Sequence, residues 1–346
     1  CGEVLAVGYR GGNGIVSVYA IVTPILNDWD SFLVLLDRLR DVPFQDDIRF
    51  DIVAVDDGSQ TKAEVVEIAA LCRRDPRIRR MDILHLALNL GHQRAIATGL
   101  VELSKRNDID GILVMDSDGE DRPEDVFKLI AAARSRPGQV IFARRSKRSE
   151  GSAFKVGYLA YKALFRVVVG KEIAFGNFSY LPIPAVRRLV YMPELWNNLP
   201  ASVIRSRIGY GLIDTERGTR YAGSSHMNLP NLVAHGFSAM AVYADLMFVR
   251  MLIGSLLVGL GAVLLAGVVT AIRVATSLAI PGWATVVFGN LMIVLLISLL
   301  VSMATTVTVL SARSMRSFVP VVDAPIYVAH RDTVFDRDLA DVAANV

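Results

Sequence analysis

Short hydrophobic runs alternate with charged and polar positions over the first 245 residues of the chain. Between residues 15 and 143 these runs are rich in β-branched side chains and are separated by amphipathic stretches of helical period. This alternation is typical of βαβ units around a parallel sheet. Five strands are predicted, at residues 16–22, 50–55, 79–86, 111–115 and 140–143. Four helices are predicted between them, at residues 31–39, 62–73, 93–104 and 124–133.

The pattern changes to long uncharged stretches after residue 250. Residues 251–272 carry no charge between Arg250 and Arg273, and a helix of that length rises about 33 Å, which is enough for a hydrocarbon core of about 30 Å. The next uncharged stretch, at residues 274–312, contains Pro281 and Gly282 as a turn before an apolar helix predicted at residues 284–310. Two transmembrane helices joined as a hairpin are therefore predicted.

Arginines at the ends of the hairpin predict its orientation. Arg250, Arg313 and Arg316 flank its outer ends, whereas the loop between the helices holds only Arg273. The positive-inside rule then places the N-terminal domain and the C-terminal tail in the cytoplasm, at the inner (plasma) membrane. The predicted organisation is a Gly-rich lead-in (1–14), an α/β domain (15–227), an amphipathic juxtamembrane helix (228–245), the two transmembrane helices (246–312) and a cytoplasmic tail (313–346).

Two amphipathic stretches lie between the predicted sheet and the hairpin. Aromatic and apolar residues recur at helical spacing over residues 154–168 opposite basic ones, which fits either a helix at the bilayer surface or one packed on the domain core. A second apolar stripe, over residues 229–240, leads directly into the first span and favours an interfacial helix.

Composition excludes several classes of protein. A hydrophobic content of 53% with a mean hydropathy of +0.42 is too apolar for an ordinary soluble protein. The two cysteines, Cys1 and Cys72, form neither a disulfide framework nor a metal-ligand motif. A dispersed net charge of +3 argues against nucleic-acid binding.

Polar residues follow the predicted strands, at the edge of the sheet where such folds bind ligands. Asp116 and Asp118 follow the fourth strand, and two neighbouring carboxylates favour a divalent cation such as Mg²⁺ or Mn²⁺ that would also neutralise a leaving diphosphate. Taken alone, this pair also fits a solvated turn. Asp56 and Asp57 follow the second strand, where they fit either hydrogen bonds to a nucleoside or a capped turn.

The third strand is followed by polar residues that open the next helix. Asn89 and Gln93 could face a donor molecule from this helix N-terminus, whereas His92 alone is more often structural.

Five ordered strings together resemble family 2 glycosyltransferases of the GT-A fold, over most of the chain. They resemble the polyprenyl-phosphate branch, which includes dolichol-phosphate mannosyltransferase, and the two-span bacterial members that make undecaprenyl-phosphate glucose or aminoarabinose carriers. The strings are VTPILND (22–28), VDDGS (55–59), NLGHQRAIATGL (89–100), MDSDGEDRPED (115–125) and RYAGSS (220–225). The resemblance implies an α/β domain with a Rossmann-like, mostly parallel sheet, followed by a C-terminal two-helix transmembrane hairpin.

The resemblance also implies roles for individual residues. Asp116, Asp118 and Glu120 would hold Mg²⁺ or Mn²⁺, and Asp116, Asp118 and Arg220 would form the catalytic group. Arg144 and Arg148, with Ser225, would bind the acceptor phosphate, for which guanidinium forks are well suited; a solvated charge run is the alternative for the arginines. The nucleotide-sugar donor would be bound by Pro24, Asp28, Asp56, Asp57, Asn89, Gln93, Ser117 and Ser224.

The chain departs from the family pattern at three positions. Glu120 stands where the family usually has Gln, and His226 where it often has Lys. Asn177 stands where relatives commonly carry an Asp that is proposed to act in catalysis, and an amide cannot take a proton. Transfer needs no general base, however, because a phosphate acceptor with a second pKa near 6 is largely ionised at neutral pH.

The expected activity is therefore inverting transfer of a hexose from a nucleotide sugar, with UDP favoured, to a polyprenyl phosphate such as undecaprenyl phosphate. A membrane-tethered inactive scaffold and a processive polysaccharide synthase are the alternatives, although no Gln-x-x-Arg-Trp string is present. Relatives suggest a homo-oligomer, a tetramer, and spans containing Gly254, Gly259 and Gly261 would permit close packing.

Overall fold

A computed structural model describes residues 9–11, 14–43, 47–145, 175–222, 238, 240–276 and 282–344. These residues form two compact units, one within Cys1–Gly151, Ile173–Val242 and Phe318–Val346 and the other within Tyr243–Ser317. The first unit therefore contains chain from both sides of the apolar hairpin. The amphipathic stretch at 154–168 and most of the stripe at 229–240 lie outside the described residues.

The first unit is built on a mostly parallel sheet whose order is β8-β6-β7-β5-β2-β3-β4-β9, with β1 paired to β2. Strand β2 is central and pairs in parallel with both β3 and β5. Strands β7 and β9 run antiparallel to their neighbours. The strands are β1 (Tyr9–Gly11), β2 (Gly14–Ile25), β3 (Ile48–Asp56), β4 (Ile78–Leu86), β5 (Gly111–Val114), β6 (Val140–Arg145), β7 (Ser179–Pro182), β8 (Tyr210–Thr215) and β9 (Val328–Asp336).

Helices cover both faces of this sheet. They are α1 (Trp29–Asp41), α2 (Val65–Arg74), α3 (His92–Ser104), α4 (Pro123–Ser135), α5 (Ile183–Leu189), α6 (Leu199–Ser206), α9 (Pro320–Asp323) and α10 (Arg337–Ala344), with 3-10 helices at Pro193–Trp196 and Ala324–Tyr327. Alternate β2 residues enter two separate cores: Val18 and Val22 pack towards α3, and Tyr19 and Ile21 towards α1 and α4. This period of two explains why β2 is apolar on both faces.

The five strands and four helices predicted from the sequence are confirmed, and so is the α/β class with a mostly parallel sheet. The predicted tail is a structural part of the first unit, because β9 pairs antiparallel with β4 along its length. Strands β1, β7, β8 and β9 were not predicted.

The second unit contains two long apolar helices, α7 (Ala244–Ala275) and α8 (Trp283–Ser314), each 32 residues long. Both are long and apolar enough to cross a membrane, with a mean hydropathy of 2.5. They pack closely where a Cβ on Gly259 would lie 2.6 Å from Ser298 Oγ, and the hydroxyls of Ser255 and Ser302 are 2.7 Å apart. The helices coincide with the two predicted spans, and their sidedness stays a prediction.

Candidate active site

The loops after β2 and β3 are joined at the carboxyl edge of the sheet. The Asn27 backbone N–H donates to Ser59 Oγ at 2.9 Å, and the Asn27 side-chain oxygen accepts the N–H of Gln60 at 2.6 Å. Asn27 has a φ of 56°, a left-handed conformation that Asn tolerates better than most residues. Asp28, the next residue, is thereby placed beside the end of β3.

Asp57 shapes the neighbouring loop between β4 and α3. Its carboxylate oxygens accept the backbone N–H groups of Leu90 at 2.7 Å and Gly91 at 2.9 Å. Burial raises the pKa of this carboxyl, and the two backbone hydrogen bonds oppose that rise. Gly58 has a φ of 73°, and a Cβ there would lie 2.8 Å from the Asn89 nitrogen. Asp57 thus fixes the loop between β4 and α3 through backbone hydrogen bonds. Its contact with a nucleoside stays a prediction.

Asp56 occupies the end of β3 and contacts a residue that the sequence did not suggest. One carboxylate oxygen accepts the N–H of Ser59 at 2.9 Å, and the other lies 2.9 Å from Nδ1 of His85. A carboxylate only accepts hydrogen bonds, so Nδ1 carries the proton in this contact. His85 is on β4, whose side chains alternate between the two faces of the sheet.

The turn after β5 carries the predicted metal ligands. Asp118 Oδ1 accepts the N–H of Glu120 at 2.9 Å, and the Asp118 carbonyl accepts the N–H of Tyr221 at 2.8 Å. Gly119 has a φ of 91°, and a Cβ there would lie 2.7 Å from the Tyr221 ring. Residues 218–221 therefore pack directly against this turn, and that close packing requires a glycine at position 119.

Arg220 links this turn to the loop after β2. Its Nη1 lies 3.1 Å from Asp118 Oδ2, and its Nη2 lies 3.0 Å from Asp28 Oδ2. All three side chains are about one-fifth exposed. The guanidinium therefore places a positive charge between two carboxylates that come from different strand ends.

The same arrangement tests whether the residues fit a divalent metal. Asp116 and Asp118 supply hard carboxylate oxygens, which Mg²⁺ and Mn²⁺ prefer, and the chain's own Arg220 shows that the space beside Asp118 attracts a cation. Asp116 and Asp118 fit the ion. Glu120 forms an ion pair with Arg217, so it would have to leave that partner to become a ligand.

The N-terminus of α3 forms a polar chain with Asn177. Gln93 is buried; its amide nitrogen donates to Asn177 Oδ1 at 3.0 Å, and its amide oxygen accepts the N–H of Leu199 at 3.0 Å. The Asn177 amide nitrogen faces Nε2 of His92 at 3.1 Å, and this Nε2 lies 3.4 Å from Asp116 Oδ1. Desolvation lowers the pKa of His92, so the neutral ring accepts from Asn177. The predicted contact of Gln93 with a donor would require its amide to leave these partners.

The other predicted residues are more scattered. Arg144 is exposed on β6 and pairs with Asp214 at 2.8 Å, and Asn89 is exposed in its loop. Pro24 and Ser117 are buried at the ends of their strands. Arg148, Ser224, Ser225 and His226 lie outside the described residues. The sequence did not indicate three residues of the site: His85, Arg217 and Tyr221. Tyr221 lies within the RYAGSS string, but nothing in the sequence shows that its ring packs against the turn after β5.

Residues 20–181 match the family model described as "Glycosyl transferase family 2". This part of the chain is therefore similar to family 2 glycosyltransferase domains. The match ends before the Arg220 segment and the apolar hairpin, so these lie beyond what the family model covers.

Two curated relatives are named as glycosyltransferases. "Uncharacterized glycosyltransferase YkcC" of Bacillus subtilis is 30% identical over 138 residues, covering 40% of each chain. "Undecaprenyl-phosphate 4-deoxy-4-formamido-L-arabinose transferase" of Photorhabdus laumondii is 27% identical over 154 residues, covering 44% of this chain and 45% of the relative. The chain thus spans less than half the length of these two relatives.

Solved structures resemble this chain more distantly. A glucosyl-3-phosphoglycerate synthase from Mycobacterium tuberculosis, in complex with Mn²⁺, uridine diphosphate and glucosyl-3-phosphoglycerate, gives a TM-score of 0.46 at 14% identity, covering 67% of this chain and 80% of that chain.

Proposed function

We propose that this chain transfers a hexose from a nucleotide sugar, UDP-linked in our hypothesis, to a polyprenyl phosphate at the cytoplasmic face of the plasma membrane. The observation that carries the proposal is the Asp28–Arg220–Asp118 bridge. It brings together one residue predicted to bind the donor, one predicted to bind the metal and one predicted to belong to the catalytic group. The three residues converge at the edge of the sheet where ligands of such folds bind.

The charges of the bridge suit a donor that carries a diphosphate. In this proposal Asp28 accepts hydrogen bonds from a base or ribose, and Arg220 supplies a guanidinium fork for phosphate oxygens. A metal at Asp116 and Asp118 would supply positive charge to the departing diphosphate. When the donor binds, Arg220 exchanges a carboxylate partner for a phosphate oxygen, so it is close to its working position before the donor arrives.

The reaction that follows from this arrangement is a single displacement. An oxygen of the acceptor phosphate attacks the anomeric carbon, a new carbon–oxygen bond forms, and the bond to the nucleoside diphosphate breaks. The electron pair of that bond leaves with the diphosphate, and the configuration at the anomeric carbon inverts. No side chain has to remove a proton from an ionised phosphate, which is consistent with the amide at Asn177.

The apolar hairpin supports a lipid acceptor. The relative from Photorhabdus laumondii is named for an undecaprenyl-phosphate substrate, and this chain carries two helices with the length and hydropathy of membrane spans. Chain on both sides of the hairpin belongs to the first compact unit, which contains the matched residues 20–181. Two crossings return the chain to the side from which it entered, and this agrees with the arginine bias that predicts a cytoplasmic domain.

The test is transfer by the full chain in detergent with undecaprenyl phosphate, Mg²⁺ or Mn²⁺ and a panel of nucleotide sugars. We expect one sugar per lipid by mass spectrometry, with an anomeric configuration opposite to that of the donor. Asp118→Asn should lower turnover by about 100-fold or more, as removal of an electrostatic stabiliser does in other enzymes.

Asp108→Asn is the matched control, because Asp108 lies in the loop that enters β5 rather than at its carboxyl end. It should retain turnover. A retained anomeric configuration would refute the displacement, long polymers would favour a processive synthase, and the absence of transfer from every nucleotide sugar would favour an inactive scaffold.

A further inference from the structure

Strand β9 brings two potential metal ligands onto one face of the sheet edge beside β4. In the antiparallel register His330 lies directly opposite His85, and Asp332 lies opposite Ile83. Positions two apart on a strand point to the same face. His85, His330 and Asp332 therefore share one face of a rigid two-stranded pair, about 245 residues apart in the sequence.

The distances between their side-chain atoms suit ligands of one ion better than hydrogen bonds. Asp332 Oδ2 lies 3.4 Å from Nε2 of His85 and 3.7 Å from Nε2 of His330, beyond the usual hydrogen-bond range of about 2.7–3.2 Å. Two ligands that are each about 2.0–2.1 Å from a tetrahedral zinc ion are about 3.3–3.4 Å apart. Ligand atoms from all three residues lie within 4.8 Å of one another.

Asp56 gives His85 the tautomer that a metal requires. The Asp56 carboxylate holds the Nδ1–H of His85 at 2.9 Å, so the lone pair of the neutral ring is on Nε2, the atom that faces Asp332. A carboxylate that orients a histidine through its second nitrogen is the usual outer partner of a zinc-bound imidazole. This contact is an observation independent of the distances between the three ligand atoms.

Only His330 has to move for an ion to bind. Its ring stacks on His85 with centroids 4.3 Å apart and planes 13° apart, and an imidazole lone pair lies in the plane of its ring. The two rings cannot direct their lone pairs at one point while they are stacked. The side chain of His330 is 59% exposed, so it has room to rotate and aim Nε2 at an ion held by His85 and Asp332.

We propose that His85, His330 and Asp332 form a binding site for a divalent transition metal ion of the Zn²⁺ class. The site is distinct from the carboxylates after β5. Imidazole ligands select Zn²⁺ and its neighbours, whereas Mg²⁺ prefers oxygen ligands alone. Three protein ligands leave one coordination position for water or an exogenous ligand. The ion fastens β9 to β4 beside Asp56, one of the predicted donor-binding residues.

Zinc binding by the full chain in detergent tests the site. The background variant is Asp118→Asn, which weakens the other predicted metal site. After treatment with a chelator, we expect this variant to take up one equivalent of Zn²⁺ in equilibrium dialysis, measured by elemental mass spectrometry, and to melt at a higher temperature with Zn²⁺ than without it. Adding His330→Ala or Asp332→Ala should abolish both effects.

Asp37→Ala, added to the same background, is the control for an exposed carboxylate outside the proposed site, because Asp37 lies on α1 and pairs with Arg40. This variant should keep the zinc. Both test side chains are more than half exposed, so neither substitution removes a part of the core. The proposal is overturned if the Asp118→Asn chain binds no zinc above the buffer, or if the His330→Ala and Asp332→Ala variants keep it. Neither result bears on sugar transfer, which is measured separately.

Discussion

Removing the guanidinium of Arg220 should make the predicted metal site bind a cation more tightly while it slows sugar transfer. Arg220 contacts Asp118 at 3.1 Å and Asp28 at 3.0 Å, so it would compete with a metal for Asp118. The substitution Arg220→Ala removes the competing charge and leaves both carboxylates in place. The same substitution also removes a group proposed to contact the donor phosphates.

The size of the effect follows from the charges. A unit charge about 4 Å from another contributes about 1 kcal/mol in water and about 4 kcal/mol at the effective dielectric near a protein surface. Solvent still reaches all three side chains, which are about one-fifth exposed, and screens their charges. We therefore take a value near the lower end, about 1.4 kcal/mol, which corresponds to a tenfold change in Kd. Arg220→Ala should therefore bind Mn²⁺ about tenfold more tightly than the unsubstituted chain.

The assay is a Mn²⁺ titration of the detergent-solubilised full chain without nucleotide, in which paramagnetic resonance reports free Mn²⁺. Mn²⁺ binding that is lost in the Asp118→Asn variant is assigned to the predicted metal site at Asp116 and Asp118. Arg122→Ala is the matched control, because its guanidinium pairs with Glu216 and Glu124 instead, and it should change Kd by less than about twofold. An Arg220→Ala variant whose Mn²⁺ affinity is unchanged or weaker would refute competition between this guanidinium and a metal.

Two further substitutions test the turn after β5 and the stability of the sheet. Gly119→Ala should lower turnover by about tenfold or more and lower the melting temperature, because a Cβ at φ 91° would lie 2.7 Å from the Tyr221 ring. Unchanged turnover and an unchanged melting temperature would show that the ring moves aside without cost. The Asp108 carboxyl has its pKa held below the ordinary 3.8 by hydrogen bonds from Arg106 and Arg79, so the stability it contributes is present above pH 3.8 and is lost as the pH falls towards the lowered value. The difference in melting temperature between Asp108→Asn and the unsubstituted chain should be constant from pH 7 to 5 and begin to shrink below about pH 4. A difference that is as large at pH 3 as at pH 7, or that is absent at pH 7, would contradict this assignment.

The central strands could be predicted because their identity is local. Strand β2 is apolar on both faces, and β3, β4 and β5 bury most of their side chains. Strand β9 could not be predicted, because its residues VAHRDTVFD alternate charged and apolar positions weakly and most of them are exposed. It is held by contacts to distant residues, such as Arg331 to Asp82 at 2.6 Å, which leave no sign in the local pattern.

The position of the candidate site could be predicted from the sequence, but the partners of its side chains could not. Parallel strands present their carboxyl ends at one edge, so the sequence predicts that Asp28, Asp56 and Asp118 lie near that edge. It does not predict which partner each side chain takes. Asp57 hydrogen-bonds to the backbone of another loop and Gln93 to Asn177, and both choices depend on how the loops pack after the sheet has formed.

Because β9 pairs with β4, the sheet is completed late in the synthesis of the chain. Strand β9 follows the hairpin in the chain, so a ribosome completes both apolar helices before it supplies the edge strand of the sheet. Until then the hydrogen-bonding groups along one side of β4 have no strand beside them, and an uncovered strand edge is prone to pair with other chains. A chain cut after α8 should therefore insert its helices and still aggregate through the open edge of β4.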